Sequence, residues 1–252
     1  MLKQSTARVE RIPPQVWTPE AKLVVPHEDE MMAFASPSFG SNTYKNVGEQ
    51  ILEKISGKNL LVPTGDYAVS LIHAVYCNSE VSEEPEFQDI RHKMQSDWLW
   101  VFNGNIFTEK GVYVIQDLEV NGRAQFDISE LESKLANEAQ GIRFSEDKTI
   151  RFALKGTYKF GEHTPKSLAQ DGFVRASYGF EGAEKLGEVS AQFNSKSFIY
   201  GVTVEEGQSP EQRVSGLDED DGRLRVSGDD FGAVDRGHAF GVLGVCEADA
   251  KK

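Results

Sequence analysis

Cysteine is scarce in this sequence: two residues in 252, Cys77 and Cys246, far apart and outside any C-x-x-C spacing. That excludes a disulfide framework and a cysteine-cluster zinc site as leading ideas, and predicts free thiols in a reducing compartment. Long apolar runs are missing as well. The longest candidates, residues 68–77 and 98–102, fall short of the roughly 18 residues that a membrane helix needs. The opening residues Met1 to Arg8 are polar where a secretory leader would turn apolar, so a cytoplasmic protein without membrane contact is expected. Positive charge is also in short supply, with 27 Lys+Arg against 40 Asp+Glu and a net charge of −13. Binding to a nucleic-acid backbone needs a basic footprint, so no nucleic-acid partner is expected.

Catalytic signatures are likewise absent. There is no phosphate loop of the form G-x-x-x-x-G-K-[ST], no G-x-S-x-G elbow, no H-E-x-x-H and no G-x-G-x-x-G after a strand. Gly179-Phe180-Glu181-Gly182 is a loose echo of a dinucleotide turn but lacks the Gly-x-Gly pair, and reads more simply as helix termination. No cofactor is expected on these grounds.

Hydrophobic residues make up 39% of the chain and aromatics 10%, enough for a folded interior in a protein of this length. Residues 1–40 read as an extended proline-rich arm, interrupted by Pro13, Pro14, Pro19, Pro26 and Pro37, with Lys22 to Val25 as its only strand-like piece. Up to Val25 the arm is mildly basic, through Lys3, Arg8, Arg11 and Lys22, while the rest of the chain is acidic. Attachment of the arm to the acidic body, in the same or a neighbouring chain, is therefore expected.

Helical spacing of apolar residues predicts helices over about 43–56, 64–76 and 85–94, the second apolar nearly all round and hence central. Residues 98–102 and 105–108 alternate as strands, with Asn103-Gly104 between them as a type I′ hairpin turn. Trp98, Trp100 and Phe102 take one face of that strand and Leu99 and Val101 the other, so it should be covered on both sides. Ser129 to Glu132 has capping-box spacing for a helix reaching Ala139, Ser145 to Lys148 a hairpin turn, and Thr164-Pro165 a helix start. Residues 157–160 suggest a strand, 181–193 a helix, and the stretch from 197 to 245 four strands. The whole predicts an α+β protein: a mostly antiparallel sheet with about five helices and an extended N-terminal arm. Its single domain spans 41–245, with a possible C-terminal sheet subdomain over 197–245 and a tail at 246–252.

The chemistry-bearing candidates are few. His163 and His238 could act as acid or base with Asp171, Asp230 or Asp235, although spacing alone does not bring them together. Asp218, Asp220 and Asp221 offer oxygen ligands of the kind Ca²⁺ takes, but without the alternating positions of an EF-hand, so a solvated hairpin turn is the plainer reading. His73 and Cys77 share a helical face, as an activated thiol pair or as a core cysteine beside a histidine. These readings lead to a protein acting through protein contacts or self-association. The alternative is a hydrolase or transferase whose site is assembled from distant His and Asp/Glu residues.

Overall fold

The computed structural model describes residues 21–53, 60–122 and 126–246. Alternating apolar residues open the described chain as a hairpin. β1 (Ala21–His27) runs antiparallel to β2 (Glu30–Ser36), with Leu23 opposite Phe34, and β14 (Val242–Cys246) lies on the other side of β2. These residues come from the stretch read as an arm. They are extended, as its prolines suggest, and they pack in the main core, where Leu23 and Phe34 are completely buried. Lys3, Arg8 and Arg11, the basic residues of the arm's first part, lie outside the described residues.

The second sheet has eleven strands. Its path runs β6 (Asn137–Ala139), β7 (Ile142–Phe144), β8 (Ile150–Leu154), β5 (Gly111–Gln116), β4 (Trp98–Thr108), β11 (Glu211–Asp220), β12 (Arg223–Asp230), β10 (Ser197–Tyr200) and β9 (Gly161–His163). β13 (Gly237–Ala239) lies beside the start of β4 and pairs with β3 (Phe39–Asn42). Antiparallel pairs dominate, but the sheet is mixed: β10 is parallel to β12 and β13 to β4. The C-terminal strands thus interleave with earlier ones, and the stretch expected as one terminal strand divides into β13 and β14, in different sheets.

Among the described residues there are six helices rather than about five: α1 (Tyr44–Glu53), α2 (Gly65–Cys77), α3 (Pro85–Ser96), α4 (Ile128–Lys134), α5 (Pro165–Gln170) and α6 (Gly172–Ser190). The end of the helix expected over about 43–56, residues 54–56, lies outside the described residues. α4 is capped by Asp127, whose side chain accepts from Ser129 N, and it ends before β6, so Ala139 is in a strand. Residues 157–160 form no strand. α6 begins nine residues before the expected helix because Asp171 caps it, accepting from the backbone N–H groups of Phe173 and Val174.

Asn103-Gly104 is not a turn. β4 continues through it to Thr108, and Glu109-Lys110 makes the reversal. Asn103 is 1% exposed; its Oδ1 accepts from Gly65 N at 3.3 Å and its Nδ2 donates to Ser177 O at 2.8 Å. Its side chain therefore ties α2 and α6 to the sheet, and the irregularity that Asn-Gly signals appears as a register shift between β4 and β11.

Both faces of β4 are covered, as its alternation predicts. Leu99, Val101 and Phe107 join α2, α3, α5, α6 and the small sheet in one cluster, whereas Trp100 and Phe102 pack with Tyr44, Val47 and Ile51 of α1 in another. Leu71, Ile72, Val75 and Val114 belong to the first cluster and Trp100 to the second, with Trp98 only partly buried, so the sheet divides the core. α2 and α6 approach closely: a Cβ on Gly65 would stand 1.9 Å from Ser177 O. None of the described helices is long and apolar enough to cross a membrane.

Candidate functional site

The seam between α2 and α6 opens into a cavity of about 320 Å³. α6 makes it by bending. Gly179 interrupts the helix with φ 72° and ψ 173°, a conformation that side chains essentially exclude, so the chain stops and restarts as a new helical segment. The start of that segment, Phe180 to Gly182, lines the cavity, and the aligned peptide dipoles place partial positive charge there. The four-residue motif read as helix termination is thus both an end and a beginning.

Four cations line this cavity, Lys148, Arg151, Arg175 and Lys185, against three carboxylates, Glu28, Asp66 and Glu181. Two are satisfied within the fold. Arg151 grips Asp66 through two bonds, of 2.9 and 2.5 Å, and donates to Ala176 O; Lys185 pairs with Glu181 at 2.7 Å. Among the described residues, Lys148 and Arg175 enter no ion pair. Arg175 donates Nε to Ala169 O and holds its guanidinium 6.0 Å from the Phe180 ring. Ile142, Phe144 and Phe180 supply apolar wall, and His27 stands at the rim, hydrogen-bonded to Ser70 at 3.0 Å. The lining thus has one cation more than carboxylates, with Glu28 as well as Lys148 and Arg175 in no ion pair among the described residues, on a chain of net charge −13.

The candidates named from sequence lie elsewhere. His163 and Asp171 do meet, with Nε2 4.0 Å from Oδ2, but both are buried and structural. His163 donates Nε2–H to Lys159 O at 2.7 Å, and Asp171 accepts from Lys159 N while capping α6. Burial raises the Asp171 pKa against the backbone donors that lower it. Asp230 and Asp235 also meet: burial first, then the Asp235 carboxyl, push Asp230 up to about 7. Asp218 and Asp220 both pair with Arg225, and Asp221 with Gly222 forms the positive-φ turn of the β11–β12 hairpin. Arg225 thus already engages two of the carboxylates considered for Ca²⁺.

His238 lies against residues the sequence did not single out. Its Nε2 is 3.1 Å from Asp97 Oδ2 and its Nδ1 3.3 Å from Ser38 Oγ. A carboxylate can only accept, so Nε2 carries the proton toward Asp97. Burial, with Lys93 nearby, lowers the His238 pKa, which leaves Nδ1 a bare acceptor for the Ser38 hydroxyl near neutral pH. The three residues come from the β2–β3 connection, the junction of α3 with β4, and β13. Asp97 also lines a second cavity of about 320 Å³, with Asp218, Asp220, Asp235, Arg225 and Arg236. No sequence spacing could have assembled this trio, because its members lie 59 and 141 residues apart along the chain.

Compared with known proteins, the chain matches no family model, no curated protein and no solved structure.

Proposed function

We propose that this protein binds a small organic anion, a phosphate or carboxylate carrying an apolar part, in the cavity between α2 and α6. The observation that carries the reading is the pair of cations left without a carboxylate, Lys148 and Arg175, in a cavity that also takes the start of the second α6 segment. Burial of a ligand's apolar part against Ile142, Phe144 and Phe180 adds affinity, while the guanidinium and ammonium groups set the charge preference. A ligand that binds only the folded state raises the melting temperature, so a thermal-shift screen of phosphorylated and carboxylated small molecules tests the reading directly. Hits are expected among anions, and the Lys148→Gln/Arg175→Gln double variant should lose most of the shift. A screen without hits, or a shift unchanged in the double variant, refutes it.

A hydrolytic reading, the alternative raised by the sequence, is supported by Ser38, His238 and Asp97. In it, His238 Nδ1 takes the Ser38 proton as Oγ attacks, and Asp97 steadies the imidazolium. A fluorophosphonate probe that labels wild-type protein but not Ser38→Ala supports this reading; failure to label the wild type removes it. A protein-contact role is a third proposal, supported by exposed Leu61, Val234 and Val245.

A further inference from the structure

Beyond the cavity, the α2–α6 seam carries a second cluster. His73 and Cys77 lie one turn apart on α2, and Glu188 reaches them from the last turns of α6. One ligand atom from each can be chosen so that all three lie within 4.8 Å of one another, and His73 Nε2 is already 2.6 Å from Glu188 Oε2. We propose that His73, Cys77 and Glu188 form a Zn²⁺ site that fastens the second segment of α6 to α2, with solvent as the fourth ligand.

The ligand set decides the metal. One nitrogen, one sulfur and one carboxylate oxygen match borderline-soft Zn²⁺ and are a poor set for Ca²⁺ or Mg²⁺, which take oxygen ligands. The i, i+4 spacing brings His73 and Cys77 over one another on one helical face, and the second helix closes the site from the side. Exposure also suits an exchangeable site: Glu188 is open to solvent and the other two are half-buried, so the ion has a path in and room for a water ligand. Without metal, burial and the Glu188 charge hold the Cys77 thiol protonated, with its pKa up to about 11. Coordination therefore forms the sulfur–zinc bond as the thiol proton passes to solvent, with no change of oxidation state.

The test uses the full chain without an affinity tag, stripped of metal and kept reduced by a phosphine, in a Cys246→Ser background so that Cys77 is the only thiol. Titration with Co²⁺ should give thiolate-to-metal charge-transfer absorption saturating at one equivalent and displaced by Zn²⁺. Zn²⁺ competition should return a dissociation constant below about 10 μM. Cys77→Ser should abolish the absorption, and Glu188→Gln should weaken Zn²⁺ binding at least about tenfold. Because Glu188 is exposed, Glu188→Gln provides a folded variant even if Cys77→Ser is unstable. Absence of the charge-transfer band overturns the site, as does Zn²⁺ affinity unchanged in Glu188→Gln.

Discussion

Asp230 offers a direct test of the electrostatics at the end of β12. The residue is 8% exposed, its Oδ1 accepts the backbone N–H of Gly232, and the Asp235 carboxyl faces it. Two carboxyls sharing one site cannot both ionise cheaply, so burial and Asp235 raise the Asp230 pKa from 3.8 to about 7. The unfolded chain releases this proton near the lower value, while the folded chain keeps it until the higher one. Stability from Asp230 is therefore fully present below the unfolded pKa, declines as pH rises between the two, and is lost once pH passes the folded pKa. Between about pH 5.5 and about pH 8 the two titrations differ by about 2 kcal/mol, and screening by water at the rim reduces this to about 1–2 kcal/mol. Asp230→Asn keeps the acceptor for Gly232, presents an amide donor to Asp235 and removes the titration. Urea denaturation of both proteins at the two pH values isolates the effect of this pair, since the titrating groups outside it cancel in the difference. The variant should gain about 1–2 kcal/mol relative to wild type on going to the higher pH. An identical pH dependence in the two proteins refutes the shared proton.

Leu71 is 1% exposed in the main core, and Leu71→Ala should cost about 2–5 kcal/mol by leaving a cavity, read as a lower urea midpoint; an unchanged midpoint would remove α2 from the core. Gly179→Ala should cost about 1–3 kcal/mol, because an alanine is strained at φ 72°, ψ 173°. Its Cβ would also stand 3.0 Å from Asp66 Oδ1, so a variant as stable as wild type in thermal melts would show that the bend is not required. Deleting residues 1–25 should lower the melting temperature, because the cut removes most of β1 together with buried Leu23 and Val25. Deleting residues 1–20 spares β1, and equal melts for the two truncations would show that the hairpin contributes nothing to stability.

Local chemistry was legible where local chemistry decides. The helix starts at Pro85 and Thr164-Pro165, the turns at Ser145 to Lys148 and Asp221-Gly222, and the two-faced burial of β4 all follow from periodicity and capping residues within a few positions. Asn103 shows where that logic fails. Asn-Gly prefers a tight turn, but Asn103 can instead satisfy Gly65 N and Ser177 O, groups 38 and 74 residues away, and tertiary hydrogen bonding overrides the turn preference. Sites were less legible still. Nothing in the spacing of His163 and Asp171 shows that they meet, yet the fold brings them together, with Asp171 as the cap of α6, whereas His238 finds its partners in Ser38 and Asp97 across the fold.

The bend at Gly179 links the fold to its chemistry. Beyond it, the second α6 segment faces α2 as a ladder of polar rungs: Asp66 near Gly179, Ser70 with Lys185 at 3.1 Å, and His73 with Glu188 at 2.6 Å. The rungs advance by three or four residues on α2, which is the spacing of one helical face, so the seam is a consequence of helix geometry once the two axes run side by side. Beside these rungs both segments of α6 pack apolar residues into the main core, Phe173, Val174 and Ala176 from the first and Ala183, Leu186 and Val189 from the second. Gly179 lines the cavity at this seam, and a Cβ there would stand 3.0 Å from Asp66 Oδ1 and 3.8 Å from Arg151 Nη1. The same absence of a Cβ that lets the backbone bend therefore leaves room beside Arg151 and Asp66, and places the start of a helix at the wall of a basic cavity.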